Sequence, residues 1–302
     1  LNRPGVNKFT TILFDSSYPK QKSLLQDTTA ENNLPTIAQF IRKAFLISDN
    51  DAYNRLYQFV TQQTIHKQLW DKGYKGLIIP RQFTGFTYTQ NRYNNPIRFL
   101  NADGNLVYSQ PQTFNKDSLD FTDDIFIGDN HFNSKDELIP GPMNFRGQNK
   151  ITVLQLQQIL QSIIFPKSVP KKQRFNFSKE DHAFLLKFLS QYPSETDYPK
   201  YDADEFYDSY VKFYFQDSSK KMPEDIRVFN KVGWSYGFLI DVSYVADFKN
   251  NIEYMLTSTI YVNSDGVIND GKYDYKEVGH PFLKSLGNTI YTYELNRKRN
   301  FT

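Results

Sequence analysis

The sequence predicts an α+β fold, in which a helical middle is followed by antiparallel strands and a closing helix. Apolar residues recur at helical spacing in three segments of the 302-residue chain, at 36–63, 151–165 and 178–192. Two later segments, 227–248 and 251–263, are rich in β-branched and aromatic residues, and Lys-Asn-Asn at 249–251 is a hairpin signal between them. Residues 281–299 again have a helical pattern. Separate runs of helices and strands are typical of the α+β class.

The first helical segment consists of two helices with a polar corner between them. Pro35-Thr36 is a start signal, and the 3.6-residue period continues on both sides of Ser48-Asp49-Asn50 to about residue 63. Before it, residues 8–17 are compatible with an extended segment or a short helix. After it, the pattern at 73–148 is weak, although an Asp-Gly turn within 101–109 precedes a possible strand.

The later helices have clearer end signals. The segment 178–192 begins with Ser178 as a helix cap and has Asp181 at the capping-box position. Residues 204–215 are predicted to form a further helix between this segment and the strands. Residues 281–299 are predicted to form the C-terminal helix.

The composition excludes several classes of function. Charged residues make up 23% of the chain, the mean hydropathy is −0.60, and no apolar run approaches the roughly 18 residues that a membrane span needs. The formal net charge is only +3, and the Lys and Arg residues are scattered, so we expect no nucleic-acid partner. An aromatic content of 16% argues against disorder.

Metal and thiol chemistry is not expected. The chain has no cysteine, which excludes disulfides, thiolate catalysis and cysteine-ligated zinc. The four histidines show neither the His-x-x-x-His nor the His-x-His spacing of metal ligands. They are His66, His131, His182 and His280. We therefore expect neither a metal site nor a cofactor.

The corner Ser48-Asp49-Asn50 has two interpretations. Ser48 and Asp51 have capping-box spacing, so the tripeptide could simply begin a helix. The same residues could instead form a catalytic tripeptide whose side chains point into a cleft. Far downstream, Lys231-Val232-Gly233 enters the predicted pair of strands.

Together these motifs resemble those of the penicillin-recognising serine hydrolases, specifically the class A β-lactamase-like branch. That family is marked by S-x-x-K, S-D-N and K-T-G in this order. Ser48-Asp49-Asn50 resembles the second motif, and Lys231-Val232-Gly233 resembles the third. Three longer segments, 34–56, 150–160 and 231–256, resemble the surrounding family elements in the same order.

The resemblance implies a fold and a domain organisation. The expected fold is β-lactamase/transpeptidase-like, with an antiparallel sheet flanked by helices plus a mostly helical subdomain. Residues 1–302 would form a single domain of this kind. Within it, residues 36–224 would be the mostly helical part with insertions, while 1–35 and 225–302 would form the sheet-containing part.

The resemblance also implies roles for five residues. Ser48 would relay a proton during formation of an acyl-enzyme, and Lys231 would keep the site positive and attract a substrate carboxylate. Asn50 would bind the substrate's side-chain amide. The backbone N–H of Trp234 would supply half of an oxyanion hole, and Gly233 would let substrate backbone approach the strand.

The third motif departs from the family at its middle residue. Val232 stands where the family usually has Thr or Ser, so a hydroxyl that would bind the substrate carboxylate is missing. This puts carboxylate recognition, and antibiotics as substrates, in doubt.

The first motif has no convincing counterpart before Ser48. The spacing S-x-x-K occurs four times, at Ser17–Lys20, Ser168–Lys171, Ser209–Lys212 and Ser218–Lys221. Proline precedes the lysine in the first two and breaks the required helical turn, and the last three follow S-D-N. Residues 1–6 resemble the tail of the nucleophile helix, so we expect the nucleophile upstream of Leu1. Its true absence is the alternative.

A deacylating glutamate would lie shortly before the helix at 151–165. Glu137 is the only glutamate in that vicinity, with Asn144 and Asn149 as possible partners. The alternative is a solvated loop carboxylate.

The sequence therefore predicts a serine hydrolase that acts through an acyl-enzyme on a β-lactam or a cell-wall-like peptide. As in the family generally, we expect a periplasmic or secreted protein. The alternatives are an inert relative that only binds, a DD-peptidase or esterase on the same scaffold, and a cell-envelope interaction module. The oligomeric state is left open.

Overall fold

The structure is a computed structural model that describes residues 5–117, 119 and 123–299. Of the predicted helix tail at 1–6, residues 1–4 lie outside this part. The described residues form two compact units. Unit 1 contains residues 5–117, 119, 147–151 and 193–201, and unit 2 contains 123–146, 152–192 and 202–299. Helices and antiparallel sheets occur together, which confirms the α+β class.

Unit 1 has three helices and five short strands. The helices are α1 (Ile37–Leu46), α2 (Asn50–Val60) and α3 (Gln62–Asp71). The strands are β1 (Thr11–Phe14), β2 (Tyr93–Asn94), β3 (Ile97–Leu100), β4 (Leu106–Gln110) and β5 (Thr113–Phe114). β1, β3 and β4 form one antiparallel sheet in the order β1-β3-β4, and β2 pairs with β5.

Local signals decide most of these boundaries. The hydroxyl of Thr36 accepts a hydrogen bond of 3.0 Å from the backbone of Gln39, which confirms the predicted start of α1. The segment 8–17 is extended, because residues 11–14 pair with β3. The helical period after the corner is broken at Thr61, where φ is +75° and the chain starts α3. α3 was not predicted.

Unit 2 contains three helices and eight strands. The helices are α4 (Val153–Ile164), α5 (Lys179–Ser190) and α6 (His280–Asn296). The short strands are β6 (Phe126–Ile127), β7 (Asn130–Phe132), β8 (Leu138–Pro140), β9 (Met143–Asn144) and β13 (Val267–Ile268). The long strands are β10 (Ile226–Ser235), β11 (Phe238–Asp247) and β12 (Ile252–Tyr261).

The three long strands form an antiparallel meander in the order β10-β11-β12. The predicted turn at 249–251 is confirmed, and a second tight turn lies at Tyr236-Gly237. There φ is +51° and +84°, as a two-residue hairpin loop with both residues left-handed requires. Leu283 of α6 packs on the face of the sheet that carries Val232, and Phe165 after α4 packs on Tyr244 of the opposite face.

The predicted helix at 204–215 is wrong. This segment consists of turns followed by a short 3₁₀ turn at Phe213–Phe215. The buried carboxylate of Asp241 accepts a 3.2 Å bond from the backbone of Phe213, and Tyr214 Oη donates to the Asp241 carbonyl at 2.9 Å. A Cβ on Gly287 of α6 would lie 2.5 Å from the Tyr214 carbonyl oxygen, so the helix contacts this backbone directly. Tertiary contacts therefore override the local helical pattern.

The units follow different boundaries from the predicted parts. Residues 11–14 pair with β3 of unit 1, so the contacts group this N-terminal segment with residues 36–117. The predicted mostly helical part, 36–224, also contains eight short strands between Tyr93 and Asn144. Short polar and Gly-rich turns separate these strands, which is why the weak pattern at 73–148 predicted only one of them, the possible strand after the Asp-Gly turn, which is β4.

Candidate functional site

The polar corner between α1 and α2 is a constrained turn. Ser48 has φ of +58°, a left-handed conformation that costs energy in a residue other than glycine. Asp49 is the cap of α2, because its Oδ1 accepts a 2.7 Å bond from the backbone of Ala52. The predicted capping box of Ser48 and Asp51 is therefore wrong by one residue. Asn50 is the first residue of α2.

Substitution of the cap tests how the corner is held. We expect Asp49→Ala to lower the free energy of unfolding by about 1 kcal/mol, because it leaves a helix-end N–H without an acceptor. Asp49→Asn should lose much less, since an amide oxygen can still accept the bond. Urea denaturation of both variants measures the difference, and equal losses would contradict the cap assignment.

Asn50 lines a cleft of unit 1 with a volume of about 500 Å³. One wall is α2 and the other is the segment Phe83–Phe86. Asn54 holds the two walls together, since its Oδ1 accepts a 2.8 Å bond from the backbone N–H of Phe83 and its Nδ2 donates to the carbonyl of Phe83 at 3.2 Å. The catalytic interpretation of the corner predicted a cleft but not these walls, and of the tripeptide only Asn50 is among the residues that line this one. An asparagine one helical turn after the S-D-N corner was the signal that could have indicated a clamp.

A second set of bonds fixes the chain just before Phe83. Arg81 and Asn149 bond reciprocally: the Arg81 N–H donates to Asn149 Oδ1 at 3.2 Å, and Asn149 Nδ2 donates to the Arg81 carbonyl at 3.0 Å. Tyr53 Oη donates to the same carbonyl at 3.2 Å. Asn149 is thus a structural clamp in unit 1.

Lys231, in unit 2, lies on β10, which is an edge strand of the sheet. Its Nζ donates a 2.5 Å hydrogen bond to the carbonyl of Val232. Burial lowers the pKa of the Lys231 ammonium to about 8, and the negative charge of Asp241 opposes this shift. A lysine with this pKa is still mostly charged at neutral pH and loses its charge as the pH rises through about 8, and ionisable groups with shifted pKa values are common at functional sites.

The other residues of the K-x-G segment alternate across the strand. Val232 is buried in the core with Leu239 and Leu283, which is a physical reason for an apolar residue there. Trp234 is 40% exposed and packs against Tyr210 and Phe213. A Cβ on Gly233 would lie 3.3 Å from the Ile240 side chain, so the strand surface has little room for a larger residue.

A buried polar network below this strand was missed by the sequence. Lys212, which is 1% exposed, donates to Asn230 Oδ1 at 2.7 Å and to the carbonyls of Leu189 and Val228. Asp241 accepts bonds from Asn230 at 3.0 Å and from Ser243 at 2.7 Å. Burial raises the pKa of Asp241 to about 6. The bonds of its ammonium give Lys212 a structural role.

None of the four S-x-x-K segments has the geometry of a nucleophile helix. Lys212 is engaged in the buried network, and the remaining segments lie in turns or short 3₁₀ pieces. The hydroxyl of Ser168, for example, donates to the Phe165 carbonyl at 2.8 Å. All four segments belong to the described part of the chain.

Glu137 lies exposed on a turn of unit 2. Its carboxylate accepts a 2.7 Å bond from Asn133 Nδ2. Neither suggested partner bonds to it, because Asn144 donates to Asp124 and Asn149 bonds to Arg81. The geometry resembles a solvated loop carboxylate.

The structure brings Ser48 and Asn50 together at the corner of unit 1, and Lys231, Gly233 and Trp234 together on β10 of unit 2. Within the described ranges, no group of three or more His, Asp or Glu side chains could hold a metal ion. In the same part of the chain, no helix is long and apolar enough to cross a membrane.

Comparisons with known proteins add little. No family model and no curated protein matches the sequence. The structure is similar to a β-lactamase from Sphaerobacter thermophilus, with a TM-score of 0.38 and 14% identity. The alignment covers 85% of this chain and 63% of that one, so this chain spans less than two thirds of that protein. A likeness at this level assigns no role to any residue of this chain.

Proposed function

We propose that the protein is a serine hydrolase of the β-lactamase-like fold that acts through an acyl-enzyme on a β-lactam or a cell-wall-like peptide amide. The conformation of Ser48 carries this proposal. A serine with φ of +58° is in the left-handed region, which costs energy in a residue other than glycine, and such conformations are common at functional positions. The pKa of Lys231, lowered to about 8, supports it independently.

The proposed chemistry assigns one task to each residue. The nucleophile is the serine of an S-x-x-K helix, which none of the four S-x-x-K segments in the described part of the chain forms. Ser48 relays its proton to the departing nitrogen, while Lys231 provides positive charge near the substrate. Asn50 orients the substrate amide, and the backbone N–H of Trp234 stabilises the oxyanion. Periplasmic or secreted location is part of the same proposal.

A fluorophosphonate probe tests the proposal on the full natural protein. We expect one covalent label, found by peptide mass spectrometry on a serine followed three residues later by lysine. Ser48→Ala should slow labelling by about 10²–10⁴-fold, the usual contribution of a proton-transfer group. Ser23→Ala, an exposed serine of unit 1, is the matched control and should label normally.

The second candidate is a binding protein on the same scaffold. It is favoured by the observation that the four S-x-x-K segments lie in turns or short 3₁₀ pieces. Absence of labelling in the natural protein, with no turnover of a chromogenic cephalosporin, would favour this candidate and contradict the hydrolase.

A further inference from the structure

We propose that the cleft of unit 1 binds a small carboxylate that carries an aromatic or other apolar body. Its volume of about 500 Å³ lies within the range of small-molecule sites. The carboxylate would be held by Lys20, Lys22 and Arg55, and the body would lie against Phe83. None of these four residues has a task in the proposed acyl transfer, although Asn50, which has one, also lines the cleft.

The charges that line the cleft favour an anion. Three cationic side chains, those of Lys20, Lys22 and Arg55, face one carboxylate, that of Asp51. Asp51 Oδ2 lies 3.6 Å from Arg55 Nε and balances one of the three charges. The two exposed lysines at the rim would attract an anion, and the buried guanidinium would hold it in a fixed orientation.

Arg55 is a built binding group. It is only 4% exposed, and its guanidinium lies 5.2 Å from the centre of the Phe14 ring. Its two hydrogen bonds both come from Nη1, to the Lys22 carbonyl at 2.9 Å and to Gln58 Oε1 at 3.3 Å. Within the described residues, Nε and Nη2 make no hydrogen bond.

The unused hydrogen-bonding capacity of the Arg55 guanidinium favours a bound carboxylate. Nε is the buried nitrogen without a hydrogen bond, and Asp51 Oδ2 lies 3.6 Å from it. Nη2 makes no hydrogen bond within the described residues, so a bound carboxylate can accept from it without displacing an existing bond. The planar fork of arginine matches the two oxygens of a carboxylate, whereas a neutral amide offers only one acceptor. The site should therefore distinguish an acid from its amide.

The opposite wall is apolar and already fixed. Phe83 is 50% exposed, although its backbone is held by both bonds from Asn54. Gly85 in the same wall has no side chain that would cover this ring. Because the wall is ordered before binding, an aromatic ligand can stack on it with little cost in ordering. The ligand is thus expected to combine a charge at one end with a ring at the other.

Titration with phenylacetate, acetate and phenylacetamide tests both parts of this site. We expect phenylacetate to bind at least about tenfold more tightly than either of the others, which corresponds to about 1.4 kcal/mol for the lost charge or the lost ring. Calorimetry gives the affinities, and amide NMR shifts at Gly85 and at the side chain of Asn54 locate the site. Equal binding of acid and amide, or no binding up to the solubility limit, would overturn the proposal.

Charge reversal at the rim provides the matched control. Lys22→Glu keeps the backbone carbonyl that Arg55 uses, and we expect it to weaken phenylacetate binding by at least about tenfold. Lys75→Glu, an exposed lysine of unit 1 that does not line the cleft, should leave binding unchanged. Equal effects of the two variants would overturn the proposal.

Loss of the guanidinium is the second test. Arg55→Gln should abolish the preference for the acid over the amide, provided that circular dichroism shows a folded protein. If Arg55→Gln does not fold, the Lys22→Glu variant still tests the proposed site. Equilibrium binding needs no acylation, so binding without fluorophosphonate labelling would contradict only the hydrolase proposal. Labelling without phenylacetate binding would contradict only the site proposed for the cleft.

Discussion

Replacement of Lys212 by methionine is expected to lower the free energy of unfolding by about 3–5 kcal/mol, the usual cost when one charged partner is removed from a buried network. The ammonium of Lys212 donates to Asn230 Oδ1 and to the carbonyls of Leu189 and Val228. Methionine fills a similar volume but donates no hydrogen bond. Three buried acceptors would then lose a donor, each at a cost of about 1 kcal/mol or more.

The loss should depend on pH, because Lys212 also stabilises the charge of Asp241. Burial raises the pKa of Asp241 in the folded protein, so its contribution to stability is present below its ordinary pKa of 3.8 and is lost as the pH rises through about 6. Without Lys212 this pKa rises further. We therefore expect Lys212→Met to cost more at about pH 7 than at about pH 4.

Tryptophan fluorescence during urea unfolding can measure this loss in unit 2 alone. The chain has two tryptophans, of which Trp234 belongs to unit 2, so a Trp70→Phe background leaves one reporter. Lys172→Met, at an exposed lysine of the same unit, is the control and should change stability by less than about 0.5 kcal/mol. Equal costs at Lys212 and Lys172 would contradict a structural role for the network.

The buried network of Lys212 and Asp241 also shows which parts of the fold can be predicted from the sequence and which cannot. Signals that act within a few residues were reliable, such as Thr36 at the start of α1 and Ser178 at the start of α5, where both hydroxyls accept the expected bonds. The helix predicted at 204–215 failed because Phe213 bonds to Asp241, 28 residues away. Local periodicity carries no information about such a partner.

The candidate site shows the same limit. The motif Ser48-Asp49-Asn50 predicted a corner, and the structure has one, but the cap is Asp49, whose carboxylate accepts a hydrogen bond from the backbone N–H of Ala52. The walls of the cleft beside Asn50 were not predicted. Its second wall comes from residues 83–86, which lie after α3 in a stretch with no clear pattern. Asn54 bonds to this wall across 29 positions of the sequence.

Substitution of Lys231 is expected to have the largest effect on activity. If the charged ammonium attracts the substrate, Lys231→Ala should reduce acylation by a fluorescent penicillin by about 10²–10³-fold. In the wild-type protein the rate should fall as the pH rises through about 8, since Lys231 then loses its proton. Lys231→Arg keeps its charge at higher pH and should remove this decline, although its bulk lowers the maximal rate.

Stability provides an independent readout for the same residue. The pKa of Lys231 is lowered in the folded protein, so its contribution to stability is present above its ordinary pKa of 10.5 and is lost as the pH falls through about 8. At neutral pH the partly buried ammonium therefore costs stability, and Lys231→Met should raise the free energy of unfolding by on the order of 1 kcal/mol. Lys249→Met, on the exposed hairpin, should change neither stability nor acylation. A variant of Lys231 that is more stable yet inactive would identify a residue retained for chemistry, whereas lower stability with unchanged acylation would identify a structural one.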